Sequence, residues 1–348
     1  MLLMLSGCIQ LDPAELALNQ MLAQQLPSGY FRYEYDFVKG GWSDKDNLVR
    51  QAGAAYVLAE YLQHSDEQRV RAALARALQA FSAASVPWGD GMLLTERGVP
   101  EKAKAGATAL ALIAGLGYRQ VSGDPGFDDT LHAWRGGLLA LRNPEGLFFS
   151  RPGSSKESAY SNGEAWLALA VYTSVFPQDR AVQAMLPEVD EAVLERYGRD
   201  VDIGFFHWGL MAAAARYAAT NDPRLVAFTR TLLNAYLNEL RPHVNPNSNS
   251  CYSVEGMVAA VGVLQHVDPS DQTLQQLHAR IHAEMTKNSA LQIPLGARHI
   301  SLGGKRELHS PDLRRFAGAF LNGRARPQIR IDATQHCLSA MLKQRAMN

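Results

Sequence analysis

The chain has 348 residues, and its 34 Lys and Arg balance 34 Asp and Glu, so the formal net charge is zero. That balance offers no broad cationic field to a nucleic-acid backbone or an anionic lipid surface, which sets aside DNA, RNA and peripheral membrane binding. Hydrophobic residues at 47% and charged residues at 20% are globular usage and exclude a disordered chain, and no apolar run approaches the roughly 20 residues of a membrane-spanning helix.

At the N-terminus, Met1 to Cys8 reads Met-Leu-Leu-Met-Leu-Ser-Gly-Cys, an apolar run closed by small residues before a cysteine. It resembles a bacterial lipoprotein lipobox, in a leader truncated to residues 1–8. The resemblance implies lipid on Cys8, a periplasmic location and, because Ile9-Gln10 replaces the aspartate linked to inner-membrane retention, outer-membrane attachment. The substrate would then be an envelope or extracellular polymer. Cys251 and Cys337 fall in helical segments and read as buried free thiols.

Residues 27–37 alternate, with Phe31, Tyr33, Tyr35 and Phe37 on one side and Arg32, Glu34 and Asp36 on the other, which is a strand period. Asp90-Gly-Met-Leu-Leu94 and Glu145-Gly-Leu-Phe-Phe149 repeat a turn glycine followed by apolar residues. Short hairpins are therefore expected at one rim of the fold. Beyond them, six segments look alike: residues 47–56, 102–110, 158–167, 205–213, 251–259 and 331–340. In the first five a glycine (Gly53, Gly106, Gly163, Gly209, Gly256) stands near the start of a helix rich in small and apolar residues. The sixth lacks it, as terminal repeats often do.

Residues 66–84, 126–142, 179–197, 223–243 and 270–287 lie between them and are amphipathic, charged on one face and apolar on the other. A helix of small residues buried all round, alternating with a one-faced helix, is what a double ring of helices requires. At roughly 50 residues per pair, six pairs account for most of the chain. Residues 288–311 read as an irregular loop. The expected organisation is one all-α domain over residues 9–348.

Three stretches, Gly29-Tyr-Phe-Arg-Tyr-Glu-Tyr-Asp, Asp46-Asn-Leu-Val-Arg-Gln-Ala-Gly and Tyr160-Ser-Asn-Gly-Glu-Ala-Trp, together with the repeat, resemble the six-hairpin (α/α)6 toroid superfamily. Its nearest members are six-hairpin glycosidases and the catalytic domain of glucuronyl C5-epimerases. The resemblance implies an (α/α)6 toroid of inner and outer helices with short hairpins at one rim. It is specific to a fold, which hosts hydrolases, lyases, epimerases and cyclases.

In such a toroid the first turns of the inner helices surround a central funnel, so those turns hold the candidate residues. Glycosidic cleavage needs two carboxyl groups, one protonated and one ionised. Glu164 and Glu255 occupy equivalent places beside the repeat glycine and are the first pair; Asp46 is the rival member. A first-turn acid also complements the helix dipole, which is the plainer reading of each alone. Arg50 stands four residues after Asp46, as a salt-bridge partner or, with Lys104, as a cation for an acidic sugar. Tyr160, Asn162, His207, Trp208 and Tyr252 complete the expected substrate contacts, and Asp332 and Gln335 open the sixth segment. Trp42, Trp88 and Trp208 are possible stacking faces, whereas Trp166 is placed in the core.

His278 and His282 lack the glutamate of a zinc-protease helix, and neither a nucleotide-binding glycine pattern nor an esterase elbow occurs, so no metal and no cofactor are expected. The sequence points to a glycoside hydrolase acting on an anionic polysaccharide. Two alternatives remain open: a uronic-acid C5-epimerase or polysaccharide lyase, and a non-catalytic polysaccharide-binding or secretion-accessory lipoprotein.

Overall fold

The computed structural model describes residues 12–96 and 98–347; the lipobox cysteine, Cys8, lies outside them. Six inner helices form a closed ring: α2 (Leu48–His64), α4 (Ala105–Ser122), α6 (Ala159–Val175), α8 (Ile203–Thr220), α10 (Cys251–Val267) and α12 (Ile331–Ala346). Each packs on the next, and α12 packs on α2. Around them stand α1 (Pro13–Ala23), α3 (Gln68–Ala83), α5 (Asp128–Leu139), α7 (Arg180–Arg199), α9 (Pro223–Ala235) and α11 (Gln272–Ser289). The fold is therefore the (α/α)6 toroid.

Local chemistry starts these helices where the ring needs them. Asn47 Oδ1 accepts from Val49 N at 3.0 Å to open α2, and Asp222 with Pro223 opens α9. The inner helices are apolar all round because they are covered on both sides; in α4 every residue from Ala105 to Tyr118 is buried. The sixth outer helix, which the amphipathic pattern left unassigned, is α1, capped by Asp12 and packed on α12. Helices α1 and α12 thus close the ring together.

The hairpins collect at the end where the inner helices begin. Strand β1 (Glu34–Asp36) pairs with β2 (Gly41–Trp42) and also with β7 (Gln328–Arg330), which leads into α12. Of the alternating aromatics, Phe31, Tyr35 and Phe37 are buried. Strands β3 (Ser85–Trp88) and β4 (Gly91–Leu94) form the second hairpin. Residues 145–149 form a turn joined by isolated bridges, without a regular strand. The segment expected to be irregular, 288–311, contains a further hairpin, β5 (His299–Ser301) with β6 (Glu307–His309).

One expectation is corrected outright. Cys251 and Cys337 are joined in a disulfide, with Cα atoms 4.8 Å apart across a sequence separation of 86 residues. Ring order makes α10 and α12 neighbours, and the first turn of α10 meets the second turn of α12 there, which distance along the chain conceals.

Candidate active site

A cavity of about 590 Å³ opens among the N-terminal turns of the inner helices. Those turns direct the positive ends of their helix dipoles at it, which biases the floor towards anions. Of the candidates from sequence, Glu164, Arg50, Lys104, Tyr160, His207, Trp208 and Tyr252 line it.

Glu164 is held there by the repeat glycine of the neighbouring helix. A Cβ on Gly106 would stand 1.9 Å from Glu164 Oε2, so α4 has to be bare at that point for the carboxyl to lie against it. The same device seats His207 over Gly256, where a Cβ would meet the His207 Cα at 2.7 Å. Glu164 is only 3% exposed and accepts no hydrogen bond from the described residues. Burial pushes its carboxyl up to about 7, against the pull of His336 and Arg50. Neutral and ionised forms are therefore both available near pH 7.

Glu255 does not line the cavity. It is fully buried behind His336, accepting a hydrogen bond from His336 Nδ1 at 2.8 Å, while its Oε2 has no partner. His336 does face the cavity. Burial opposes protonation of this imidazole, but the adjoining Glu255 carboxylate outweighs it and raises the histidine above its ordinary range. His207 is the opposite case: burial lowers it well below the usual value, with the nearby cations adding to the effect, and neither ring nitrogen has a partner. Its ring lies 5.7 Å from that of His336 and 5.4 Å from that of Tyr252.

Asp46 and Asn162 are also displaced from the site. Asp46 is exposed and accepts from Asn47 N and Gln51 Nε2, each at 2.7 Å, which fixes the start of α2. Asn162 is fully buried, accepts from Phe148 N and donates to Tyr197 OH, both at 2.8 Å, and so anchors the 140–158 connection. Arg50 pairs with Asp332 at 2.7 Å instead of Asp46, and Arg330 pairs with the same carboxylate at 2.6 Å. Trp208 alone of the tryptophans lines the cavity. Trp166 donates to Asp190 in the core, and Trp42 packs against Tyr35 and Phe316.

Sequence reasoning passed over His336, Arg330, Arg151 and Lys156. His336 had a signal: it stands four residues after Asp332, on the same helix face, in the segment whose missing glycine made it look like a mere cap. Arg151 and Lys156 lie in the 140–158 connection, outside any repeated pattern.

No protein-family model matches the chain, and no curated protein does. Solved structures do. The GH76A α-1,6-mannanase from Salegentibacter sp. HEL1_6 superposes with a TM-score of 0.72 at 10% identity, over 97% of this chain and 100% of that one. An inactive variant of that mannanase is known in complex with α-1,6-mannotetrose. The unsaturated glucuronyl hydrolase from Bacillus sp. GL1, which degrades glycosaminoglycan, gives 0.64 at 11% identity, over 95% and 96% of the two chains. A D-mannose isomerase gives 0.65 at 11%, with the same coverage. These likenesses show a common architecture.

Proposed function

We propose that the protein is a glycoside hydrolase that binds an anionic polysaccharide in the funnel and cleaves it with Glu164 and His336 as the acid–base pair. The observation that carries the reading is Glu164, a buried, unpartnered carboxyl facing the cavity and pushed up to about 7. Such a group stays protonated to near neutrality and can give its proton to the glycosidic oxygen as the bond to the anomeric carbon breaks. His336 takes a proton from the attacking water, and Glu255 acts through it by fixing the ring and favouring its protonated form. The two carboxylates expected from sequence thus serve one directly and one through a histidine. Lys104, Arg151 and Lys156 on the wall favour an acidic sugar.

A second reading uses the same pair for proton transfer at C5 of a uronic acid, giving epimerisation or elimination. The Glu255–His336 hydrogen bond favours it, because a carboxylate-backed imidazole is a suitable base for a carbon acid. Incubating the protein and its Glu164→Gln variant with neutral and uronic-acid polysaccharides, then weighing the products, separates these outcomes. Saturated fragments absent with the variant support hydrolysis. Fragments lighter by one water indicate elimination, and deuterium uptake without fragments indicates epimerisation. Binding without any change to the polymer would leave the accessory-lipoprotein alternative.

We also infer that the protein is exported and held at the outer membrane through lipid on Cys8. The Cys251–Cys337 disulfide supports an oxidising compartment. Labelled palmitate should enter the protein made in cells and should not enter Cys8→Ala.

A further inference from the structure

The cavity holds two kinds of cation. Arg50 and Arg330 are committed to Asp332, at 2.7 and 2.6 Å. Lys104, Arg151 and Lys156 have no ion-pair partner among the described residues, yet all three line the same cavity.

They also stand on one wall. The backbone N of Ala105 donates to Ser150 O at 3.0 Å, pinning the start of α4 to the 140–158 connection. The turn beyond closes on itself through Ser150 N to Lys156 O at 2.9 Å, with Gly153 at its tip in the left-handed region at φ 65°. Lys104 is thereby set next to Arg151 and Lys156. Lys104 is the N-cap residue of α4, but its side chain caps nothing, so the positive end of that helix opens on the same place. Glu164, unpartnered and 3% exposed, lies against this first turn through Gly106. Three uncompensated cations at the positive end of α4 leave the wall short of negative charge.

From this we infer that Lys104, Arg151 and Lys156 form a subsite for the anionic substituent of the sugar, a carboxylate or sulfate, and that Arg50 and Arg330 do not. Three separate cations from two segments suit a charged group projecting from a ring, whereas the two guanidiniums on Asp332 already donate to its carboxylate and are held by it. This deepens the hydrolase reading and rests on it for the nature of the ligand: the subsite selects acidic residues of the polymer and places them beside Glu164.

The test uses the full chain carrying Glu164→Gln, so that bound polymer is not turned over. Affinity is measured for polygalacturonate, alginate and hyaluronate, for their carboxyl-reduced forms, and for dextran sulfate. The same panel is run after adding Arg151→Gln with Lys156→Gln. Both are surface positions, and an unchanged melting curve checks the fold. At least one acidic polymer should bind, with its carboxyl-reduced form about tenfold weaker or more, and the double substitution should remove that preference without touching the residual neutral binding. Dextran sulfate binding that is lost in the double variant, with the three uronates left unbound, assigns the subsite to sulfate, and binding retained after carboxyl reduction overturns it. An acidic polymer that binds equally well to the double variant overturns the subsite while leaving the hydrolase reading standing. If the parent binds no polymer at all, both fall.

Discussion

The far end of the α2–α12 seam and the mouth of the ring both shelter ionisable groups, and they differ in whether those groups are satisfied. At the far end from the mouth, Glu60 accepts from Tyr56 OH at 2.5 Å, from Ser339 Oγ at 2.5 Å and from Lys343 Nζ. Burial and the adjoining Glu60 carboxylate push the Tyr56 phenol well above its usual range, so it stays a donor. At the mouth, Asp332 is paired twice, but Glu164, both nitrogens of His207 and Oε2 of Glu255 have no partner among the described residues. A saturated network contributes to the fold, whereas unpaired polar groups cost stability and persist where a ligand completes them. The contrast separates the mouth, where unpartnered groups of α6, α8 and α10 gather, from the far end of the α2–α12 seam, which carries only scaffold.

The comparison breaks most sharply at Glu164. Replacing it with Gln should lower turnover by about 1,000-fold and leave polymer affinity within about threefold, as measured by initial rates and by titration of binding. At the far end, Glu60→Ala should remove about 1–3 kcal/mol of stability in denaturant unfolding, because half-buried Lys343, Tyr56 and Ser339 lose their shared acceptor. Turnover per folded molecule should stay unchanged.

The two ends should also respond differently to pH. Glu164 in the folded chain, at about 7, lies above the 4.5 of an ordinary glutamate, so the native state favours its protonated form. Its contribution is fully present below pH 4.5 and is lost as pH rises through 7. Glu164→Gln, which does not ionise, should therefore be more stable than the parent at pH 8 by about 3 kcal/mol, and the gain should vanish towards pH 4.5. Equal stability of the two at pH 8 would count against the raised carboxyl. The smallest effect belongs to Asp46→Asn, whose exposed position should limit it to less than about 1 kcal/mol in unfolding, with no change in rate.

Much of the ring was legible because inner helices must be small and apolar all round while outer helices need one charged face, and both patterns are local. The repeat glycines also pointed to the site, since Gly106 and Gly256 are the bare points against which Glu164 and His207 lie. What escaped was long-range. The partner of Arg50 lies 282 residues away, at Asp332, and Cys251 finds Cys337 only after the ring closes. Glu255 precedes its repeat glycine where Glu164 follows its own, and that two-residue offset, about 200° around a helix, sets it behind His336 and out of the cavity. Arg151 and Lys156 sit in a connection whose path is set by one backbone hydrogen bond to α4.

The claim on which the rest depends is that the funnel holds a carboxyl still protonated near neutrality. Following the side-chain carboxyl resonances of ¹³C-labelled protein against pH, with Glu164→Gln to assign the signal, tests it directly. The account expects a midpoint near 7 for Glu164. A midpoint near 4.5 would mean an ordinary solvated carboxylate, and Glu164 would not be the proton donor.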